Sequence, residues 1–232
     1  MELHKELSFD KNKYKISLSD NYLEYFAKAK EFVLDNYSED YNRIANTKFE
    51  EITPEFFFSE YCWVVYTSGF NAKIVSKLFP ALQEIYAPLV GVFKTFRSDV
   101  NTNEIETKAL GIINNKRKVK SIISVAVNSG KEINQLGWLK YKETKLNSPD
   151  KLQKLPFIGP ITCYHLARNI GLLDFMKPDI HMERVAKHWN FDNSLEMCRD
   201  IQNTYDLPLG LIDLIMWYSL STFGSKIKKE IK

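Results

Sequence analysis

The stretch LPFIGPITCYHLARNIG, residues 155–171, reads as a tight turn with a proline on either side, opening into a helix that stops at a glycine. Gly159 keeps side chains off the turn, and Pro160 is harmless at a first helical position, where the N–H has no intrahelical partner. The first free N–H groups of that helix then face outward, the arrangement that holds a phosphate. Just upstream, SPDKLQK (148–154) supplies Ser148 as a cap and Pro149 at the first position of a short helix. Residues 148–171 therefore predict two helices joined by a tight turn. On the turn alone, an ordinary αα-hairpin is the plainer reading.

Beyond Gly171 comes a loop, LLDFMK, and then Pro178 and Asp179 ahead of the amphipathic IHMERVAKHW. An aspartate at that point is by default a helix N-cap, worth about 1 kcal/mol.

Length and composition bound the rest. With 232 residues and 44% hydrophobic content, the chain can build one large domain or two small lobes around a proper core. Cys62, Cys163 and Cys198 are scattered and odd in number, which excludes a disulfide framework and a four-thiolate metal or iron–sulfur site. No run of about 18 apolar residues occurs, and MELHKELSFDKNKYK lacks a leader pattern. The expectation is a soluble, cytoplasmic, monomeric protein. Its charge is uneven: residues 1–60 hold 8 Lys and Arg against 13 Asp and Glu, and residues 61–232 hold 24 against 16. A basic body suits a polyanion such as nucleic acid, because neutralised phosphates release counterions.

Helical periodicity dominates, so the class is mostly α. Residues 20–36 suit an amphipathic helix, and Thr53-Pro54 should cap and start another carrying EFFFSEYCWVVYTSGF, apolar nearly all round and so expected to be buried. Residues 73–79 and 80–86 read as further helix or helix-turn, NTNEIETKALGII as one helix, and NKRKVKSIISVAVNSG as another closed by Gly130. Residues 6–17 suggest a strand or an extended arm. The tail KIKKEIK reads as a helix end.

Taken together, the turn and the aspartate resemble the helix-hairpin-helix DNA glycosylase superfamily, which includes endonuclease III and the 8-oxoguanine and alkylbase glycosylases. The resemblance rests on Leu155, Pro156, Ile158 and Gly159 followed by Asp179, His181 and Arg184. INNKRKVKSIISVA and VVYTSGFNAKIVSKLFP add weaker similarity, so it spans about residues 56–190. It implies a two-lobed helical fold with the active site between the lobes: residues 1–55 plus 190–232 as one lobe, and 56–189 as the glycosylase core. It further implies that Asp179 is catalytic, stabilising positive charge at the sugar's anomeric carbon after a base has been flipped out of double-stranded DNA.

The same resemblance nominates Phe157, Ile158, Gly159, Ile161, Thr162, His181, Lys116, Lys118, Ser68 and Asn71 as DNA contacts. Phe70, Trp63 and Trp138 are candidate base-pocket or wedge groups, although burial in a core is the commoner use of such aromatics. No cofactor is implied beyond an optional Na+ or K+ on the carbonyls of Gln153, Leu155 and Ile158. Two departures stand out. Ile161 occupies the place where bifunctional relatives carry a Schiff-base lysine, which favours a monofunctional, water-using enzyme. Phe157 occupies a position usually given to glycine, so the turn is expected to be type I or modestly strained. A bifunctional lyase with a relocated lysine and a non-enzymatic DNA-binding module stay open. So does the base: oxidised or alkylated purines, deaminated bases and modified viral bases all fit, as repair or as antiviral defence.

Overall fold

The computed structural model describes residues 13–95 and 99–230. Among them the helices run α1 Tyr22–Asn36, α2 Ser38–Asn46, α3 Pro54–Thr67, α4 Ala72–Thr95, α5 Thr102–Ile112, α6 Lys116–Leu136, α7 Trp138–Lys145, α8 Pro149–Leu152, α9 Thr162–Asn169, α10 Ile180–His188, α11 Ser194–Tyr205 and α12 Leu209–Glu230, with a single 3-10 turn at Phe49–Glu51. The expected extended arm lies outside the described residues over 6–12; its remainder is irregular and buries Tyr14 and Ile16. Two compact units result, one of residues Lys48–Ile170 and the other of residues 13–47 with 171–230. Sequence analysis places the divisions at 55/56 and 189/190, whereas the units part at 47/48 and 170/171. Asp179 and α10 accordingly belong with the terminal segments.

In the first unit, Thr53 caps α3 by accepting from the Phe56 N–H at 3.2 Å, with Pro54 at the first helical position. The helix is apolar on nearly every face and is buried as expected, from Phe57 to Tyr66. Residues 73–86 form one helix rather than two, because α4 continues through Pro80 and Pro88. Both prolines lie on the exposed face, where the carbonyls they leave without a donor can take water. Gly130 does not close α6; the helix runs on to Leu136 and stops at Gly137, φ +78°. Gly130 instead admits α4: a Cβ there would stand 2.2 Å from the Val92 carbonyl oxygen. It is a packing glycine.

The second unit closes around α1 and α12. Phe32 of α1 meets Tyr14, Tyr37 and Phe223 edge-on, and the Tyr25 hydroxyl shares a hydrogen bond of 3.0 Å with Ser219. Met182, Val185 and Ala186 of α10 lie in the same core, which fixes the rotation of the helix that follows Asp179.

Candidate functional site

The hairpin is tied to α3 at its turn and at the end of α9. The Tyr61 hydroxyl donates to the Pro156 carbonyl at 2.7 Å, and the Asn169 amide donates to Glu60 Oε2 at 2.8 Å. Burial pushes the Tyr61 phenol well above its ordinary pKa, so it stays a donor. In the turn, the Ile158 N–H donates to Leu155 O at 3.1 Å with Pro156 and Phe157 between them. Phe157 has φ +66°, the left-handed conformation that a type II turn requires at its third residue. The chain thus adopts the glycine geometry with a phenylalanine, a strain of about 1 kcal/mol. The ring lies 5.4 Å from Lys118 Nζ and 6.0 Å from the Arg117 guanidinium, cation contacts that offset part of that cost.

The hairpin's donors are partly used up internally. Ile158 serves the turn, and the Gly159 N–H goes to the Thr162 hydroxyl at 2.7 Å. Helix α9 begins at Thr162 rather than Pro160, although the Cys163 N–H already bonds Gly159 O at 3.0 Å. Among the described residues, no carbonyl accepts from the N–H of Ile161 or Thr162. Of the five hairpin residues expected at DNA, Ile161 and Thr162 at the helix start retain anion-binding capacity, and the Phe157 N–H likewise meets no described carbonyl; the Ile158 side chain is buried and its N–H is committed. The carbonyls expected to hold a cation divide similarly. Leu155 O accepts from Ile158, while those of Gln153 and Ile158 accept from no described backbone N–H.

Lys118, expected at DNA, is 2% exposed. Its ammonium donates to the carbonyls of Val65, Tyr66 and Ser68 at 2.8, 2.8 and 2.6 Å, closing the C-terminus of α3. Burial pulls its pKa down to about 8. This is a correction: the residue fastens helix ends together instead of presenting charge. Its neighbours Lys116, Arg117 and Lys120 are exposed. Ser68 contributes its carbonyl to Lys118, and Asn71 caps α4 by accepting from the Lys73 N–H at 2.9 Å. Between them Phe70 is 42% exposed, its ring 4.2 Å from Lys118 Nζ.

The two tryptophans are placed differently from Phe70. Trp63 is buried edge-on against Phe79, with ring centroids 5.2 Å apart. Trp138 donates to Ile52 O at 3.0 Å and packs on Phe57, Phe93 and Tyr141. Trp63 fills the core of the first unit, and Trp138 is half-buried at its edge.

In the second unit Asp179 caps α10. Its Oδ1 accepts from the N–H groups of His181 and Met182 at 3.0 and 3.1 Å. Its Oδ2 pairs with Lys177 Nζ at 3.2 Å, with side-chain exposures of 15% for Asp179 and 20% for Lys177. The Asp179 N–H donates to Lys177 O at 2.9 Å across Pro178, whose fixed φ suits such a three-residue turn. His181 and Arg184 are exposed on the helix that follows. The pairing of Lys177 with Asp179 was not among the expectations; the i, i+2 spacing across a proline is the signal the sequence carries for it.

In solved structures, the chain is similar to a Methanocaldococcus jannaschii 8-oxoguanine glycosylase/lyase in complex with a 15mer DNA containing 8-oxoguanine: 23% identity, 84% of this chain and 96% of that one covered, TM-score 0.57. It is similar also to the 8-oxoguanine DNA glycosylase of the same organism, at 22% identity with 83% and 92% covered and TM-score 0.54. The fold is that of the 8-oxoguanine DNA glycosylases. The mostly α, helix-hairpin-helix glycosylase fold implied by residues 155–184 is thereby borne out. No family model matches the chain, and no curated protein matches it. Among the described residues, no single helix is long and apolar enough to cross a membrane.

Proposed function

We propose that the chain is a monofunctional DNA N-glycosylase acting on double-stranded DNA that carries one extruded base. The observation that carries this reading is the Asp179 carboxylate, shielded to 15% exposure and held by two backbone N–H groups and a lysine. Breaking the N-glycosidic bond builds positive charge on the sugar, and a carboxylate oriented by its helix start stabilises that charge. The Ile161 and Thr162 N–H groups bind a backbone phosphate, and exposed Lys116 and His181 add contacts. Phe70, exposed beside Asn71, is the remaining wedge candidate. Uncommitted carbonyls at Gln153 and Ile158, with Leu155, suit a Na+ or K+ ion, which when bound would add positive charge beside that phosphate.

With isoleucine at 161, water is the nucleophile in this reading. The similar solved proteins make 8-oxoguanine the first base to try. The test is an excision panel of duplexes bearing oxidised, alkylated, deaminated and hypermodified bases, with released bases identified by mass spectrometry. Wild type should release one class and leave an alkali-labile site, and Asp179→Asn should not. Binding without excision across the panel would leave a non-enzymatic DNA-binding module. Borohydride trapping on the product should give no covalent adduct; an adduct would mean lyase chemistry from a relocated lysine.

A further inference from the structure

In the protein without DNA, both oxygens of Asp179 are engaged. Oδ1 is committed to the start of α10, so Oδ2 is the oxygen that can face a developing cation, and Lys177 holds it at 3.2 Å. A lysine ammonium there repels a sugar cation and cancels most of the carboxylate's field. For Asp179 to work, Lys177 must give Oδ2 up, and the surroundings say to what. The outward side of α10 presents Ile180 at 60% exposure together with exposed His181, Arg184 and Lys187. The helix's one acid, Glu183, is turned to the N–H and hydroxyl of Ser194. The outward side of α10 is therefore cationic and apolar, a surface that draws a polyanion, with exposed Asp174 the acid nearest Lys177 on its upstream side in sequence.

We propose that Lys177 is a phosphate-binding residue that neutralises Asp179 in the free protein and passes to a DNA backbone phosphate in the complex, uncovering Oδ2 when substrate is bound. The exchange trades one anionic partner for another, and the short turn across Pro178 keeps the lysine near its carboxylate in the absence of DNA. This inference rests on the proposed role of Asp179.

The test uses duplexes containing a tetrahydrofuran abasic-site mimic, which is neutral, or a pyrrolidine mimic, which is cationic. On the tetrahydrofuran duplex, the slope of log K against log salt should be shallower by about 0.9 in Lys177→Met than in wild type, the release expected for one lost phosphate contact. Lys177→Arg should keep the wild-type slope, and circular dichroism should show both variants folded. The preference for pyrrolidine over tetrahydrofuran should be unchanged in Lys177→Met, because the lysine has already left Oδ2 in the complex. An unchanged salt slope, or a pyrrolidine preference that rises when the lysine is removed, overturns the exchange. Failure of the glycosylase reading shows separately: wild type would then have no pyrrolidine preference for Asp179→Asn to abolish, whatever the Lys177 slope.

Discussion

The Tyr61 hydroxyl donates to the carbonyl of Pro156 at 2.7 Å, so α3 holds the hairpin turn by its crown. Tyr61→Phe removes the donor and leaves that carbonyl facing a phenyl edge. The expected loss is about 1 kcal/mol in urea denaturation, with weaker binding to a tetrahydrofuran duplex. Unchanged binding would mean that the turn is set without this anchor.

Asp179→Asn should separate folding from chemistry. Asparagine caps helices about as well as aspartate, so stability should stay within about 0.5 kcal/mol of wild type, whereas Asp179→Ala should lose about 1 kcal/mol. Both should abolish base release. Thermal unfolding alongside the excision panel checks the pair.

Phe157 offers a test of backbone strain. Alanine and glycine both remove the ring, but only glycine accepts φ +66° without a Cβ clash, so Phe157→Gly should be more stable than Phe157→Ala by about 1 kcal/mol. Equal stabilities would place the turn elsewhere in backbone space.

Lys118 gives a pH dependence with a definite sign. In the folded protein burial lowers its pKa to about 8, against 10.5 as the ordinary value. Between these values the unfolded chain holds a proton that the folded chain has released, so this group's contribution to stability rises as pH climbs from about 8 to 10.5. Lys118→Met should abolish that rise. It should also cost about 3 kcal/mol near pH 7 by orphaning three carbonyls. Urea midpoints at pH 7, 8, 9 and 10 on both proteins measure it.

What was legible in the chain was the chemistry of its helix ends. Thr53-Pro54, Ser148-Pro149, Gly171 and Asp179 all mark boundaries correctly, because capping is decided by a few neighbouring atoms. Gly130 and Pro80 misled for the opposite reason. One meets the Val92 backbone of another helix, and the other stands on a solvent face, facts that only packing settles. Lys118 belongs with them: its run of basic neighbours looks like a DNA-facing patch, but its acceptors lie some fifty residues earlier. Local spacing cannot announce a partner that distant. The aspartate was readable as a cap and, through the hairpin, as a catalytic candidate; the hold of Lys177 on its second oxygen was not.

The second unit is assembled from two separated segments, residues 13–47 and 171–230, with α1 packed on α12. During synthesis, Phe26 and Phe32 wait for their partners on α12 until residues 209–223 have been made, while residues 48–170 can settle in the interval. A translation product stalled before residue 209 would thus carry a finished hairpin and an unassembled support for α10.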